Sequence, residues 1–481
     1  MSEEKERAKD RDTTPVPAFE EGQDFIDEKK LLRKVDWHLL PALIFLFFLS
    51  FLDRSNVGNA RIEGLAEDTH MTGNQYLTTL SIWFIGYVLF EIPSNIVLRR
   101  TSPRFWLPTL TLVWGIVCTL MGLTQNFAGF LAVRFFLGVA ESGLFPGVVF
   151  YLSMWYKRNE QHYRIALFLS AATLAGAFGG FLGFALAKMK GVAGLGGWRW
   201  IFIIEGLFTI VCSIAAYFFI FNYPADAKFL TQREKDYITA RLKDDSDATR
   251  NEVFSWDGVI QALKDPKVWL YALCFHTMGY PGYTLSLFIP TIITGLGYTS
   301  TQAQLLSIPP YVVAFITTMT VAVFAEKTKR RAPFIIGGST VALVGYIILI
   351  SSHWPGLSYA GTIIVTAGMF PSTAIIVSWP ANNVSGQTKR ATASALQISV
   401  GNIAAIMGTQ LYRPKWSPRY FVGHGMAIGY LVGNIVAVGT LWYVMHKENE
   451  RRDRGERDDR LRDVDKDVFL GDDDPRWRFQ T

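Results

Sequence analysis

The chain has 481 residues, a net charge of +6, and a residue content that is 50% hydrophobic and only 18% charged. Its Lys and Arg gather in a few short loops instead of forming the basic face that nucleic acid requires. Apolar runs of membrane length alternate with these loops, which argues against a soluble multidomain enzyme and for one polytopic membrane domain.

Residues 1–37 are polar at the start, with no apolar core of the kind a signal peptide carries, and read as a cytosolic tail. Twelve spans follow, near 38–59, 77–98, 106–124, 127–151, 163–187, 199–221, 268–293, 303–325, 333–352, 357–380, 391–412 and 421–445. Arg99, Arg100 and Arg104 follow span 2; Lys157, Arg158 and Arg164 follow span 4; Lys327, Lys329, Arg330 and Arg331 follow span 8; Lys389 and Arg390 follow span 10. All these loops share one side with both termini, and the positive-inside rule makes that side cytosolic. Basic residues around loops 5–6 and 11–12 run against the trend, so the orientation rests on the majority of loops.

The long cytosolic loop 222–267 divides the spans into halves, 38–221 and 268–445. A Thr-x-x-Gln element enters span 2 (Thr72, Gln75) and again span 8 (Thr299, Gln302), each followed by Ser-Ile; it is either an internal repeat or shared polar loop composition. Residues 446–481 are dense in Arg and Asp and read as a solvated cytosolic tail. The expected fold is therefore all-α: twelve transmembrane helices in two six-helix halves.

Charge inside the apolar runs points to function. Asp53 and Arg54 interrupt the run LLPALIFLFFLSFLDRSNVGNA of span 1, and Arg134 and Glu141 lie in span 4. Such charges are expensive in a bilayer and are kept where they face a bundle interior or a water-filled cavity. Neighbouring helix residues point about 100° apart, so Asp53 and Arg54 need separate partners. At 1.5 Å per residue, Asp53 lies roughly 20 Å above its cytosolic helix end and Arg134 roughly 10 Å below its outer one. These heights coincide in a core about 30 Å thick, so an Asp53–Arg134 pair is expected, with Glu141 nearer the cytosol. Buried acids suit proton loading, and arginine forks suit a carboxylate. The expected proton carriers are Asp53 and Glu141; the expected substrate ligands are Arg54 and Arg134.

The stretches FLDRSNVGNA, YVLFEIPSN, RFFLGVAESGLFPG, GGWRWIFIIEG and SWPANNVSGQTKRATASALQISVGN resemble the anion:cation symporter family of the major facilitator superfamily, and within it the fungal allantoate and nicotinate permease group. The resemblance covers nearly all of 35–445. It implies the major facilitator fold and proton-coupled anion transport, with Asp53, Arg54, Arg134 and Glu141 at the positions that handle proton and anion. It also implies a monomer in the plasma membrane. The superfamily's usual motif after span 2 is degenerate here (NIVLRRTSPRF, without its Asp), which puts the usual cytosolic gating network in doubt.

Other residues carry further expectations. Glu91, beside Pro93 in span 2, is a gating candidate, and the proline is expected to kink or open the helix. Tyr280 and Asn402 are further substrate-site candidates, Tyr280 in a span 7 expected to be broken near Pro281. His276 is a minor candidate for proton coupling. Gly176, Gly179, Gly180 and Gly183 form two overlapping GxxxG spacings in span 5, suited to close helix packing. Cys118, Cys212 and Cys274 sit in apolar runs, so no disulfide or metal site is expected. No nucleophile-base set or phosphate loop is evident, and neither an enzyme nor a cofactor is expected. The sequence thus reads as a secondary transporter taking up a small organic anion, such as nicotinate or allantoate, with protons. Efflux or exchange of a carboxylated metabolite, and a nutrient sensor without transport, are the alternatives.

Overall fold

A computed structural model describes residues 26–244, 256–461 and 471–481. Much of the N-terminal tail, part of the central loop and residues 462–470 lie outside these. Twelve long helical spans run through the described residues. Span 1 is Glu28–Ile62, span 2 Gly73–Arg100, span 3 Pro103–Met121 and span 5 Arg158–Ala187. Span 4 is two helices, Phe127–Glu141 and Leu144–Ser153. Span 6 is Gly197–Phe219, span 7 Pro266–Gly295 and span 9 Ala332–Ser351; span 8 is split into Ser300–Leu306 and Ile308–Thr328. Spans 10 to 12 are Pro355–Asn383, Gln387–Thr409 and Phe421–Asp453.

Eleven of these are long and apolar enough to cross a membrane. Span 7 is the exception, although it has 30 residues. It lies mostly buried among its neighbours and presents Thr277, Thr284 and Ser286 to protein instead of lipid. The expected break near Pro281 is absent: the helix is continuous through Pro281 and Pro290. The carbonyl of Pro281 is taken up by the Tyr346 hydroxyl at 3.2 Å and the Thr284 hydroxyl at 3.3 Å. Span 2 likewise continues through Pro93.

Span 1 starts at Glu28 rather than near 38. The Asp27 side chain caps it, accepting from the amides of Lys29 and Lys30. Its first turns lie outside the apolar run and are held by ion pairs: Lys34 with Glu234, Arg241 with Glu28, and Arg164 with Asp36 at 2.6 Å. Glu234 and Arg241 belong to the amphipathic helix Gln232–Asp244 of the central loop. Lys34 and the Thr231 amide together hold the Glu234 carboxyl below its ordinary range, although burial opposes this.

The Thr-x-x-Gln echo is a capping box in both halves. Thr72 accepts from the Gln75 amide while Gln75 accepts from the Thr72 amide, and Thr299 and Gln302 do the same. The span 5 glycines divide between two contacts. Gly179 and Gly183 face Asn56 and Asn59 of span 1; Gly176 and Gly180 face Tyr311 and Ser307 of span 8, across the boundary between halves.

Residues 471–481 depart from the solvated tail that their composition suggests. They pack on the termini-bearing end of the second half. Arg452 donates to the carbonyls of Asp472, Asp474 and Trp477; Asn383 exchanges two hydrogen bonds with Gln480; and Lys389 pairs with Asp472 at 2.7 Å and with Asp265 at 3.0 Å. The Arg452 side chain is only 1% exposed. Arg452→Ala takes this donor from the buried carbonyls of Asp472 and Asp474, while that of Trp477 keeps Arg478, and is expected to destabilise the protein by about 2–4 kcal/mol, measured as thermal unfolding in detergent. An unchanged melting temperature would mean that this segment leaves the face in solution.

Hydrogen bonds joining the halves gather, among the described residues, at the end away from the termini. Ser81 meets Thr409 at 2.6 Å, Gln410 donates to Ser81 and to the Leu77 carbonyl, Ser300 donates to the Ile62 carbonyl, and Gln304 donates to Glu63 at 3.0 Å. The far end is therefore sealed, and a cavity lies between the halves below it.

Candidate functional site

The cavity has a volume of about 120 Å³ and is lined from both halves. Its charged lining groups are Arg54 of span 1 and Glu141 of span 4. Arg54 Nη2 donates to Glu141 Oε2 at 3.3 Å, and Ser50, one turn earlier on span 1, donates to the same oxygen at 3.1 Å. Glu141 Oε1 and Arg54 Nε have no hydrogen-bond partner among the described residues. The guanidinium lies over the Trp83 ring, 4.2 Å from its centre, with Phe51 and Tyr87 farther off, a cation–π seat that fixes the plane of the fork.

Two glycines create this arrangement. Gly138 of span 4 abuts the Trp83 carbonyl, so spans 2 and 4 cross at backbone distance and Trp83 is brought beside Arg54. Glu141 ends its helix just before Gly143, which is pressed against Ser94 where no Cβ would fit. Gly138→Leu forces the spans apart. It is expected to cost about 1–3 kcal/mol of stability and to remove carboxylate binding, read by thermal unfolding and by ligand titration on the same preparation. Full binding in this variant would show that the Trp83 seat is dispensable.

The expected Asp53–Arg134 pair is not formed. Asp53 is fully buried and turned into the first half, where Cys118 of span 3 donates to its Oδ1 at 3.5 Å and the Trp114 indole of the same span lies against the carboxylate. Arg134 is also buried; its Nε donates to the Thr79 carbonyl at 3.3 Å and its Nη1 has no partner among the described residues. Matching heights on two helices did not make the side chains meet, because the faces differ. Arg54 reaches the cavity; Asp53, about 100° round the helix, cannot.

Tyr280 and Asn402 do not line the cavity. Tyr280 stacks on Tyr430 and donates to the Gly423 carbonyl at 3.2 Å, and Asn402 is buried in span 11. Tyr283, one turn beyond Tyr280, faces the cavity instead, as do Tyr87 and Ser50. His276 is also off the lining, held by the Val400 carbonyl and Tyr430. Glu91 is fully buried and accepts from Ser399 of span 11 at 3.4 Å, linking the halves on the termini side of the cavity.

A second cavity of about 250 Å³ shares Thr318 and Ala374 with the first as lining residues. That space is bordered by Tyr163, Glu326, Lys327 and Arg331, near the face that bears the termini. Among the described residues no cluster of His, Cys, Asp and Glu is fit to hold a metal ion.

Two six-helix halves around a central charged cavity, sealed at one end, define a secondary transporter rather than an enzyme. The chain belongs to the Major Facilitator Superfamily, whose family model matches residues 43–409. It is 38% identical to the MFS-type transporter cnsO of Penicillium expansum over 88% of this chain and 85% of that one. It is 32% identical to the high-affinity nicotinic acid transporter of Saccharomyces cerevisiae, over 88% and 79%, and to the major facilitator-type transporter hxnP of Emericella nidulans, over 97% of each. These relatives fit the anion:cation symporter group. Among solved structures it is similar to a bacterial homologue of the human lysosomal transporter Spinster, inward-facing and occupied, with a TM-score of 0.64 and 15% identity over 84% of this chain and 95% of that one. The xylose transporter XylE of E. coli, partially occluded and inward-open, gives 0.63 and 12% over 85% and 97%. At these identities the solved structures speak for the fold.

Proposed function

We propose that this protein carries a small, flat organic monocarboxylate, of the nicotinate kind, across the membrane together with protons. The observation that carries the reading is the Arg54–Glu141 pair, placed on the wall of a cavity between the two halves. Glu141 engages the guanidinium through one contact at 3.3 Å, and with the Tyr283 hydroxyl alongside it the fork still has donors to offer a carboxylate. Aromatic residues from both halves, Phe51, Tyr87, Phe275 and Tyr283, suit the ring of such an acid, and the nicotinic acid transporter among the relatives is consistent with that choice.

In this mechanism ionised Glu141 competes with the substrate for Arg54. A proton on Glu141 removes the competing charge, and the substrate carboxylate takes its place on the fork. Release toward the termini-bearing face, taken as cytosolic from its basic loops, lets Glu141 lose the proton and recapture Arg54. Asp53 is a second proton carrier behind the cavity wall, Arg134 a fixed positive charge that keeps the acids responsive, and Glu91–Ser399 part of the gate on the cytosolic side. The protein works as a monomer in the plasma membrane.

The test is uptake of labelled nicotinate, allantoate, pantothenate and benzoate by cells expressing the chain, at acidic and neutral external pH. Uptake of one acid that rises at low pH is the expected result. No uptake of any acid by protein located at the cell surface would overturn the reading.

A further inference from the structure

Behind the cavity wall, spans 1, 3 and 6 enclose a second polar cluster that the scheme above leaves largely unused. Glu205 of span 6 is buried, with no ion-pair partner among the described residues. It accepts a hydrogen bond from Asn56 Nδ2 of span 1. Among the described residues two acceptor oxygens facing each other are then left without a donor, Glu205 Oε1 and Asn56 Oδ1, whereas the Asp53 carboxylate has the Trp114 indole of span 3 against it.

Buried acceptors without donors are rare in native proteins, because each forfeits its hydration for nothing in return. The charged and titratable groups around this cluster do not relieve it. Arg54 points to Glu141 and Trp83, and Arg134 to the Thr79 carbonyl. Cys118, from span 3, points its thiol at Asp53 Oδ1 and the Phe202 carbonyl. Span 5 brings Gly179, with no side chain, against Asn56.

We infer that Glu205 binds a proton and, with Asn56, forms a proton store in the first half, separate from the substrate cavity. A carboxylic acid and a primary amide close a ring with two hydrogen bonds, N–H to one carboxyl oxygen and O–H to the amide oxygen. The Asn56–Glu205 contact is one side of that ring. A single proton on Glu205 Oε1 supplies the other side and satisfies both stranded oxygens together. Loss of that proton sets an acceptor against an acceptor and loosens span 6 from span 1, two residues from Arg54. Proton occupancy behind the wall is thereby read at the substrate cation. This inference rests on the proton-coupled reading for its purpose, though not for its test.

The test is infrared spectroscopy of the purified full chain at neutral pH, following the carbonyl stretch of protonated carboxyl groups and its shift in deuterated water. The expected result is a buried-carboxyl band that is lost in Glu205→Gln and retained in Glu141→Gln. Asn56→Ala keeps the acid but opens the ring, so the band should shift in frequency; this serves if Glu205→Gln fails to fold. A wild-type spectrum without such a band, or a band untouched in Glu205→Gln, would overturn the inference. The readout requires no transport, so failure to find a transported acid would count against the transport reading alone.

Discussion

Arg54→Gln is expected to reach the membrane and lose carboxylate uptake by about thirty- to a hundredfold. Arg54 is the cation on the cavity wall, and a charge-assisted bond in a low-dielectric site is worth roughly 2–3 kcal/mol, which corresponds to that factor. Folding should survive, since the loss leaves Glu141 with Ser50 as a donor. Arg54→Lys should recover only part of the activity. A compact ammonium cannot lie flat over Trp83 and still offer two parallel donors to a carboxylate. Uptake by the Gln variant within threefold of wild type would remove Arg54 from the substrate site.

Glu141→Gln separates binding from coupling. The amide mimics the protonated acid at every pH, so Arg54 is never recaptured. Exchange of labelled for unlabelled substrate across the membrane should persist, while the rise in uptake at acidic external pH disappears. A gradient of one pH unit is worth about 1.4 kcal/mol per coupled proton, or about tenfold in accumulation, and that is the part expected to vanish. The sign is diagnostic: the variant should do relatively better at neutral than at acidic pH when compared with wild type. A variant that kept the full acid stimulation would shift coupling to Asp53 and Glu205, behind the wall.

Hydropathy alone places nearly all the spans, because a helix facing lipid must be apolar. Span 7 shows where this weakens: a helix buried among others is free to be polar, and its Thr and Ser positions lower its mean hydropathy. The same freedom hides its cavity-facing side. With both faces of span 7 packed, no apolar stripe distinguishes Tyr280 from Tyr283.

Intramembrane charge marks Asp53, Arg54, Arg134 and Glu141, yet their partners do not follow from position along the axis. Height is readable from 1.5 Å per residue, whereas azimuth depends on how spans 1, 2, 3 and 4 rotate against one another. That rotation is set by close approaches such as Gly138 on Trp83, which span distant parts of the sequence. The segment 471–481 escaped for a related reason. A run of Arg and Asp reads as solvated by composition, but Arg452 is matched to three carbonyls and Lys389 to Asp472. Such matching is tertiary and leaves no local pattern.

The most direct measurement is of protons rather than substrate. The purified protein is reconstituted into vesicles with a pH-sensitive dye sealed inside, and labelled nicotinate is added outside under an inward proton gradient. Internal acidification that accompanies label entry, and is absent with Arg54→Gln vesicles, is the result predicted here. Label entering with no change in internal pH, and at a rate indifferent to the gradient, would contradict proton-coupled carboxylate transport through the Arg54–Glu141 site.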